Sequence, residues 1–238
     1  MMHRPYSLEG NYYSPIRRTL ISSVMMLSGI ALVIAALVLS SGFGKTVQSK
    51  SSVEITMITS TLRPRAQGNA MGDPDAPVMI VEYSDYQCVY CRLFSTQVEP
   101  AIVDAYVATG KVYFVYRSLG DWLGPESQAA AEAAYCAGDQ AKFWEYHDIL
   151  FANQNLERFS SARLEDLGRT LNLNVDEFRS CLNTGKYRDK TLQDRADGES
   201  MGIQGTPSFL INGTLVSGNQ TFEVFQKYIE AEISKGPY

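Results

Sequence analysis

The chain of 238 residues is short of histidine, which argues against a metal centre or a cysteine–histidine catalytic pair. Only two histidines occur, His3 near the N-terminus and His147 within an apolar helical pattern. A structural zinc site needs about four clustered Cys or His ligands, and Cys88 and Cys91 have no second close pair of such residues. We therefore predict no metal and no cofactor, and we expect His147 to serve in helix packing.

The chain also lacks runs of basic residues. It has 21 Lys and Arg against 26 Asp and Glu, a formal net charge of −5, and its sequence pI is about 5.1. Proteins that bind nucleic acid carry basic patches that neutralise phosphates, so this balance argues against nucleic acid as a partner. No internal repeat is visible, and 45% hydrophobic with 20% charged residues suits one globular domain with additional segments.

Charged residues are absent from one long apolar stretch near the N-terminus, from Leu20 to Leu39. As a helix it matches the hydrocarbon core of a bilayer, about 30 Å at about 1.5 Å per residue. The sequence therefore predicts a transmembrane anchor at residues 20–41. A cleaved signal peptide is the alternative, since small residues follow at 40–42, but the apolar region of a signal peptide is normally shorter.

The charges beside this stretch predict its orientation. Arg4, Arg17 and Arg18 precede it, and the positive-inside rule places such residues in the cytoplasm. We expect a cytoplasmic tail at residues 1–19, a linker rich in Ser, Thr and Gly at 42–70, and an external domain at 71–238. A β-prone run at 53–58 is a candidate edge strand within the linker.

Two of the four cysteines, Cys88 and Cys91, follow an apolar run from Val78 to Val81. The run is typical of a strand buried on both faces, and apolar residues at helical spacing predict one helix over 88–109, closed by Gly110. A thiol at a helix start meets unpaired N–H groups and the positive end of the helix dipole, which stabilise the reactive thiolate. A C-x-x-C pair between strand and helix indicates a redox motif, with half a zinc site or two inert cysteines as alternatives.

The remaining pattern supports an α/β domain interrupted by helices. Residues 111–117 are a second β-rich run, so strand, helix and strand predict a right-handed parallel crossover. Asn212-Gly213 predicts a hairpin between strands 208–211 and 214–216, and Thr221 is a candidate cap for a last amphipathic helix. Five helices are expected in the insertion, with Ser160 and Asn174 as plausible caps, at residues 127–136, 140–151, 161–171, 175–182 and 187–201.

Two motifs resemble the DsbA-like family of thiol–disulfide oxidoreductases. One is Gly72-Asp73-Pro74-Asp75-Ala76-Pro77 leading into Val81-Glu82-Tyr83-Ser84-Asp85-Tyr86-Gln87-Cys88, and the other is Gly202-Ile203-Gln204-Gly205-Thr206-Pro207-Ser208-Phe209. The resemblance covers about residues 71–233. It implies a thioredoxin fold, a mixed central sheet flanked by helices, with an inserted all-helical cap at about 125–201. The chain departs from the family at Val89, where Pro is common.

The resemblance also implies roles for residues around the two cysteines. Cys88 is expected to be the nucleophile that forms a mixed disulfide, with Cys91 as the resolving thiol. Val89 and Tyr90 lie between them and would tune the stability of the thiolate. The Thr206-Pro207 bond is expected to be cis and to pack against the disulfide, with backbone groups of Thr206 offered to the substrate chain.

Two further features are interpreted with their alternatives open. Glu82 is an acid in an apolar strand, and a partly buried carboxylate near Cys91 is suited to taking its proton; a solvated strand end is the alternative. Cys136 and Cys181 are expected to form a structural disulfide, because spare cysteines in an oxidising compartment are more often paired, and because related domains carry a similar pair. Two buried free thiols are the alternative.

Together these expectations describe a membrane-anchored enzyme whose catalytic domain is extracytoplasmic. We expect it to make disulfides in unfolded or partly folded exported proteins, as a monomer, and to be recycled by a membrane redox partner. A reductase or isomerase on the same fold is one alternative. A chaperone-like domain that binds chains in its groove without turnover is another.

Overall fold

The computed structural model describes residues 55–57, 62–154 and 158–236. The predicted cytoplasmic tail and the predicted anchor at 20–41 lie outside the described residues. Within those ranges, no helix has the length and apolar character that a membrane crossing requires. Of the β-prone run at 53–58, only residues 55–57 are described, and these three form no strand.

In the described part of the chain, five strands form one mixed sheet in the order β1-β3-β2-β4-β5. Strands β2 and β3 run parallel, while the other neighbouring pairs are antiparallel. This is the predicted α/β architecture, with the crossover and the hairpin where the sequence indicated them. The strands are β1 (Ala70–Gly72), β2 (Val78–Ser84), β3 (Val112–Ser118), β4 (Ser208–Ile211) and β5 (Thr214–Ser217).

Strand β2 lies at the centre of the sheet and is buried almost throughout. Because side chains alternate along a strand, Ile80 packs in the larger hydrophobic cluster and Val81 and Tyr83 pack in a smaller one on the opposite face. Glu82 follows the alternation of Ile80 and faces the larger cluster. An acidic side chain is therefore directed into the main core, which also contains Cys91.

The first long helix is not continuous, contrary to the prediction of one helix over 88–109. It divides into α1 (Val89–Gln97), α2 (Glu99–Ile102) and a π-helical turn at Val103–Val107. The break falls beside Pro100, whose ring has no N–H and clashes with the carbonyl of the preceding turn. It leaves Glu99 at the start of α2 and fully buried.

Strand β1 was not predicted and lies at the edge where the linker was expected to end. Ala70 pairs with Val115 of β3, and its carbonyl accepts a hydrogen bond of 3.2 Å from the indole of Trp144. Gly72 has φ +95, and a Cβ there would lie 2.4 Å from the carbonyl oxygen of Val112. Glycine is therefore required for the chain to leave β1 so close to β3.

Five helices lie in the described part of the insertion, as predicted. Ser160 and Asn174 cap two of them, because each side chain accepts a hydrogen bond from a first-turn N–H. Thr221 precedes the last helix, α8 (Phe222–Ile233), but makes no side-chain cap, since its hydroxyl interacts with Glu223 instead. The insertion helices are α3 (Pro125–Gly138), α4 (Phe143–Ala152), α5 (Ser161–Thr170), α6 (Val175–Asn183) and α7 (Arg188–Ser200).

A disulfide joins Cys136 near the end of α3 to Cys181 of α6, across a sequence separation of 45 residues. Both cysteines are buried within the insertion. The loop-entropy model, which is itself disputed, gives about 4 kcal/mol for a cross-link of this span. The bond therefore stabilises the insertion, which the active-site helix meets through α4.

We predict that replacing both cysteines, Cys136→Ala with Cys181→Ala, lowers the melting temperature but not the reactivity of Cys88. The expected fall in Tm is on the order of 10 °C, from about 4 kcal/mol in a domain of this size. Calorimetry measures the first effect and alkylation of Cys88 the second. If a folded double variant loses disulfide exchange, the second pair relays electrons and is not purely structural.

Candidate active site

The two cysteines are held at the start of α1 by a turn that is tied to the insertion. The buried carboxylate of Asp85 accepts hydrogen bonds from the Gln87 N–H at 2.7 Å and from the Ser127 hydroxyl at 2.7 Å. The side-chain amide of Gln154 donates to the carbonyls of Tyr86 and Cys88 at 2.8 and 2.9 Å. Residues distant in sequence thus fix the backbone that presents Cys88.

Cys88 occupies the position just before α1, with an extended backbone, and both active-site thiols are free. A hydrogen bond from the Cys91 side chain lowers the pKa of Cys88 to about 5, against the opposing effect of burial. The Thr206 side chain and the backbone N–H groups of Tyr90 and Cys91 act in the same direction. Cys88 is therefore a thiolate at neutral pH, which is the nucleophilic form.

Cys91 has the opposite character because it is buried in the main core. Burial, together with the neighbouring Cys88 and the Glu82 carboxyl, raises the pKa of Cys91 well above its usual value. It therefore remains a thiol that donates to Cys88. Because the pKa of Cys88 is lowered and that of Cys91 is raised, Cys88 is suited to attack as a thiolate while Cys91 keeps its proton.

Val89 and Tyr90, between the cysteines, are both exposed, with 42% and 59% of their surfaces accessible. Neither side chain carries a charge at neutral pH that would stabilise a thiolate. The hydrogen bonds that lower the pKa of Cys88 come instead from Cys91, Thr206 and backbone N–H groups. A tuning role for the two intervening side chains stays a prediction.

The Thr206–Pro207 peptide bond is cis and faces the cysteine pair. The carbonyl oxygen of Thr206 lies 3.5 Å from the Cys88 sulfur. Pro207 directly precedes β4, and its own carbonyl accepts from the Gly218 N–H at 2.8 Å, which fixes the loop to the hairpin. The loop therefore places backbone groups beside the reactive sulfur.

Glu82 is fully buried in β2, so the alternative of a solvated strand end is wrong. Neither carboxyl oxygen has a partner at normal hydrogen-bond distance among the described residues, although the Ser84 side chain still acts to lower the pKa of Glu82. Burial, and next the negative charge of Glu99, raise the pKa of Glu82 well above its usual value. The raised pKa favours the protonated, neutral form of this carboxyl. In this form it is suited to donate a proton, whereas the sequence predicted a carboxylate that accepts one.

Sequence reasoning missed a buried ionic cluster beside this carboxyl. Arg63 forms ion pairs with Glu99 and, at 2.5 Å, with Asp148, and its guanidinium lies 4.5 Å from the centre of the Trp144 ring. In the sequence, the one local indication of this cluster was the acidic residue directly before Pro100. His147 is buried in helix α4 with its Nδ1 3.0 Å from Asp148. No cluster able to hold a metal is found among the described residues.

A parallel β2–β3 pair, a C-x-x-C at the start of a helix and a facing cis-proline loop define a thioredoxin-fold thiol protein. Residues 65–231 match the family model described as Thioredoxin, which covers well over half of the chain. The protein therefore belongs to the thioredoxin family. The helical insertion and the relatives described next place it with the DsbA-like members.

Three known proteins illustrate the similarity. The chain is 36% identical over 153 residues, 64% of its length, to Na(+)/H(+) antiporter NhaA 1 of Salinispora arenicola, of which the match spans only 22%. It is 29% identical over 175 residues to probable disulfide bond formation protein D of Bacillus cereus, covering 70% of this chain and 79% of that protein. The crystal structure of Wolbachia pipientis alpha-DsbA1 matches with a TM-score of 0.63 and 26% identity, covering 74% and 97% of the two chains.

We predict that the reduced domain titrates as a single thiolate with a midpoint near pH 5, because Cys88 has a pKa of about 5. The Cys91 thiol donates the hydrogen bond that lowers this pKa most. Removing it in Cys91→Ala should therefore move the midpoint of the Cys88 titration upward. The measurement is the ultraviolet absorbance of the thiolate against pH, with Cys88→Ser as the blank. A midpoint that is unchanged in Cys91→Ala would show that the Cys91 thiol does not stabilise the Cys88 thiolate.

The pKa of Cys88 also determines how the stability of the reduced domain changes with pH. The folded pKa of about 5 lies below that of free cysteine, about 8.5. The thiolate therefore stabilises the reduced fold fully above about pH 8.5, and this contribution is lost as the pH falls through 5. We therefore expect the reduced wild-type domain to have a higher Tm than Cys88→Ser at about pH 8.5, and this difference should disappear as the pH is lowered through 5.

Proposed function

We propose that this protein is an extracytoplasmic protein-disulfide oxidoreductase that forms disulfides in exported proteins. The observation that carries the proposal is the pairing of a Cys88 thiolate with the buried Cys91 thiol. A thiol whose pKa lies at about 5 stabilises the reduced pair, and a stabilised reduced form makes the corresponding disulfide a stronger oxidant. The relative in Bacillus cereus is named a disulfide bond formation protein, which agrees with this direction.

The reaction begins with the oxidised pair and a substrate thiolate. The substrate sulfur attacks Cys88, the Cys88–Cys91 bond breaks, and Cys91 leaves as a thiolate that takes a proton from the neutral Glu82. A second substrate thiolate then attacks the substrate sulfur of the mixed disulfide. Cys88 leaves as a thiolate, and the substrate departs with a new disulfide, so two electrons have passed to the cysteine pair.

The loop at Thr206 and Pro207 supports a substrate that is an extended chain. The Thr206 carbonyl lies beside the Cys88 sulfur, and a backbone acceptor recognises any peptide irrespective of its side chains. This suits unfolded or partly folded proteins as the substrate class. The reduced pair must be reoxidised after each turnover, so we propose a membrane redox partner that recycles it, and a protein that works as a monomer.

A reductase or isomerase on the same site is the second candidate. It would use the reverse steps, in which Cys91 loses its proton and attacks the mixed disulfide. The low pKa of Cys88 disfavours a reductase, because it stabilises the reduced pair that a reductase must give up. A chaperone-like domain without turnover would have no use for a thiolate beside a buried thiol.

We predict that Cys88→Ser abolishes oxidation of a reduced two-cysteine peptide, whereas Cys91→Ser accumulates mixed disulfides through Cys88. The reason is that Cys88 makes the first bond and only Cys91 can resolve it within the protein. Mass spectrometry of acid-quenched reactions detects both results. The matched control is the Cys136→Ala/Cys181→Ala variant, which retains both active-site thiols.

The direction of electron flow is tested by the equilibrium between the cysteine pair and glutathione. A disulfide-forming enzyme should have a potential closer to that of DsbA, about −120 mV, than to that of thioredoxin, about −270 mV. A value near thioredoxin would favour the reductase. Reactivity of Cys91 ahead of Cys88 towards iodoacetamide would reverse the assigned roles.

We further propose that residues 20–41 anchor the protein in the cell membrane with residues 1–19 in the cytoplasm. The support is the uncharged apolar stretch and the arginines that precede it. Enzymes that form disulfides act in oxidising compartments, so the proposed chemistry and the proposed topology agree.

We predict that protease added to spheroplasts digests the domain after residue 42 and leaves the tail intact, since the positive-inside rule places only the tail inside. An epitope at either end reports the fragments on a blot. Reversing the flanking charges, Arg17→Glu with Arg18→Glu, should reduce exposure of the domain. Protection of the domain in spheroplasts with the wild-type sequence would overturn both the location and the role in export.

A further inference from the structure

The described residues that precede β1 lie along helix α4 of the insertion. Three contacts follow the helix from its end towards its start as the chain advances. They are Thr56 with Asn153, which ends α4, Arg63 with Asp148, and Ala70 with Trp144. The segment and the helix therefore run in opposite directions. We call residues 55–57 and 62–70 the strap.

The upstream contact of the strap is a backbone pairing made by one buried side chain. The Asn153 amide accepts from the Thr56 N–H at 3.0 Å and donates to the Thr56 carbonyl at 2.9 Å. Its other hydrogen is donated to the Ile149 carbonyl at 2.8 Å, and its oxygen also accepts from the Arg163 guanidinium at 3.1 Å. All four hydrogen-bonding positions of this amide are therefore used. Because both backbone groups of one residue are matched, Thr56 is held in a single register.

Arg63 is the second attachment point, and its burial opposes release of the strap. Its guanidinium pairs with the carboxylates of Glu99 and Asp148 and lies 4.5 Å from the centre of the Trp144 ring. Release would take this charge away from Glu99, which is fully buried. Removing one partner of a buried ion pair is strongly unfavourable, because the other charge stays in the core. The strap is therefore held at two points along α4.

The upstream end of the strap lies at the end of α4 that supports the reactive cysteine. Gln154 directly follows Asn153, and its amide donates to the Cys88 carbonyl at 2.9 Å. Bond lengths and hydrogen-bond distances along this path limit the separation of the Thr56 N–H from the Cys88 sulfur to about 20 Å. Without the strap, the chain would leave the domain at β1, near the opposite end of α4. The strap therefore brings the point where the chain leaves the domain close to the active site.

We propose that the strap limits the distance of Cys88 from the membrane and so favours disulfide exchange with partners at the membrane surface. The inference rests on the anchor proposed at residues 20–41. Residues 42–54 separate that anchor from the strap, and they span at most about 45 Å when fully extended. If the strap were released, residues 42–69 would span up to about 100 Å. Docking on α4 therefore roughly halves the reach of the domain.

The reach of the domain is measured with a lipid that carries a pyridyl disulfide, in phosphatidylcholine vesicles that contain the full chain with its active-site pair reduced. The Cys88 thiolate attacks the sulfur on the lipid side, and pyridine-2-thiol leaves and is measured by its absorbance. Cys91 then loses its proton and attacks Cys88 in the mixed disulfide, and the lipid leaves as a thiol. Two electrons thus pass from the cysteine pair to the lipid disulfide. Each rate is divided by that with a soluble pyridyl disulfide, which removes any effect of a variant on the cysteines themselves.

Two insertions of equal length distinguish a docked strap from a free linker. About sixteen Gly and Ser residues added after residue 54 slightly more than double the tether, so the rate should fall about threefold, because effective concentration falls roughly as the −3/2 power of tether length. The same residues added after residue 59 lie between the two attachment points. They should leave the rate unchanged, because Thr56 still fixes where the tether begins. Equal slowing by both insertions, or no slowing by the first, would overturn the inference.

The variant Thr56→Pro tests the backbone pairing itself. Proline has no N–H to donate to Asn153, so the strap should detach as far as Arg63. The tether then extends over residues 42–62, and the rate should fall about twofold. The matched control is Thr56→Ala, which keeps both backbone groups and should react with the lipid as the wild type does. Equal rates for the proline and alanine variants would contradict the assigned contact.

Hydrogen exchange of the Thr56 amide detects the strap without turnover. The amide should exchange on the order of tenfold faster in Asn153→Leu than in the wild type, because its acceptor is lost. Equally fast exchange in both proteins would overturn the inference. If the amide is protected and the insertions act as expected, but the wild type oxidises no peptide, the proposed function fails and the inference stands. A chain with a protected Thr56 that does not remain with the vesicles would refute the anchor and, with it, the limit on reach.

Discussion

The burial of Cys91 is the constraint from which the rest of the active site follows. A sulfur inside the core cannot carry a charge at low cost, so Cys91 retains its proton and offers it to Cys88. That hydrogen bond has the largest effect on the pKa of Cys88. The same burial creates a need for a nearby proton donor whenever Cys91 leaves a disulfide. In the proposed mechanism Glu82 meets that need, because it is buried in the same core and its pKa is raised.

The parts of the fold that were predicted depend on neighbours in sequence. The β-rich run of β3, the Asn212-Gly213 hairpin and the caps at Ser160 and Asn174 all follow from residues a few positions apart. The break at Pro100 was also local, since a proline inside a helical pattern usually ends or kinks the helix. The apolar spacing before and after Pro100 favoured one continuous helix over 88–109. The helix nevertheless breaks there, because the proline ring is incompatible with a regular helix interior.

The parts that were not predicted depend on contacts between distant residues. Arg63 is 36 residues from Glu99 and 85 from Asp148 in sequence, and neither pairing has a periodic or spaced signature. Strand β1 is only three residues long, too short for a β pattern to be distinguished from a linker. Cys88 and Cys91 were indicated by their spacing at a helix start, whereas the cis bond at Pro207 followed from the resemblance to a family. The electrostatic surroundings that decide the proton on Glu82 required the three-dimensional arrangement.

The departure of this chain at Val89 is explained by where the thiolate obtains its stability. An intervening pair such as Val89 and Tyr90 contributes no charge, and both side chains extend into solvent. The stabilising groups are the Cys91 thiol, Thr206 and the backbone of the first turn, which substitution at position 89 leaves in place. The main causes of the acidity of Cys88 therefore lie in the fold, and tuning by Val89 and Tyr90 stays a prediction. Glu82 and Glu99 are fully buried, whereas Val89 and Tyr90 are exposed, so the charged groups of this region lie in the core and the uncharged pair lies at the surface.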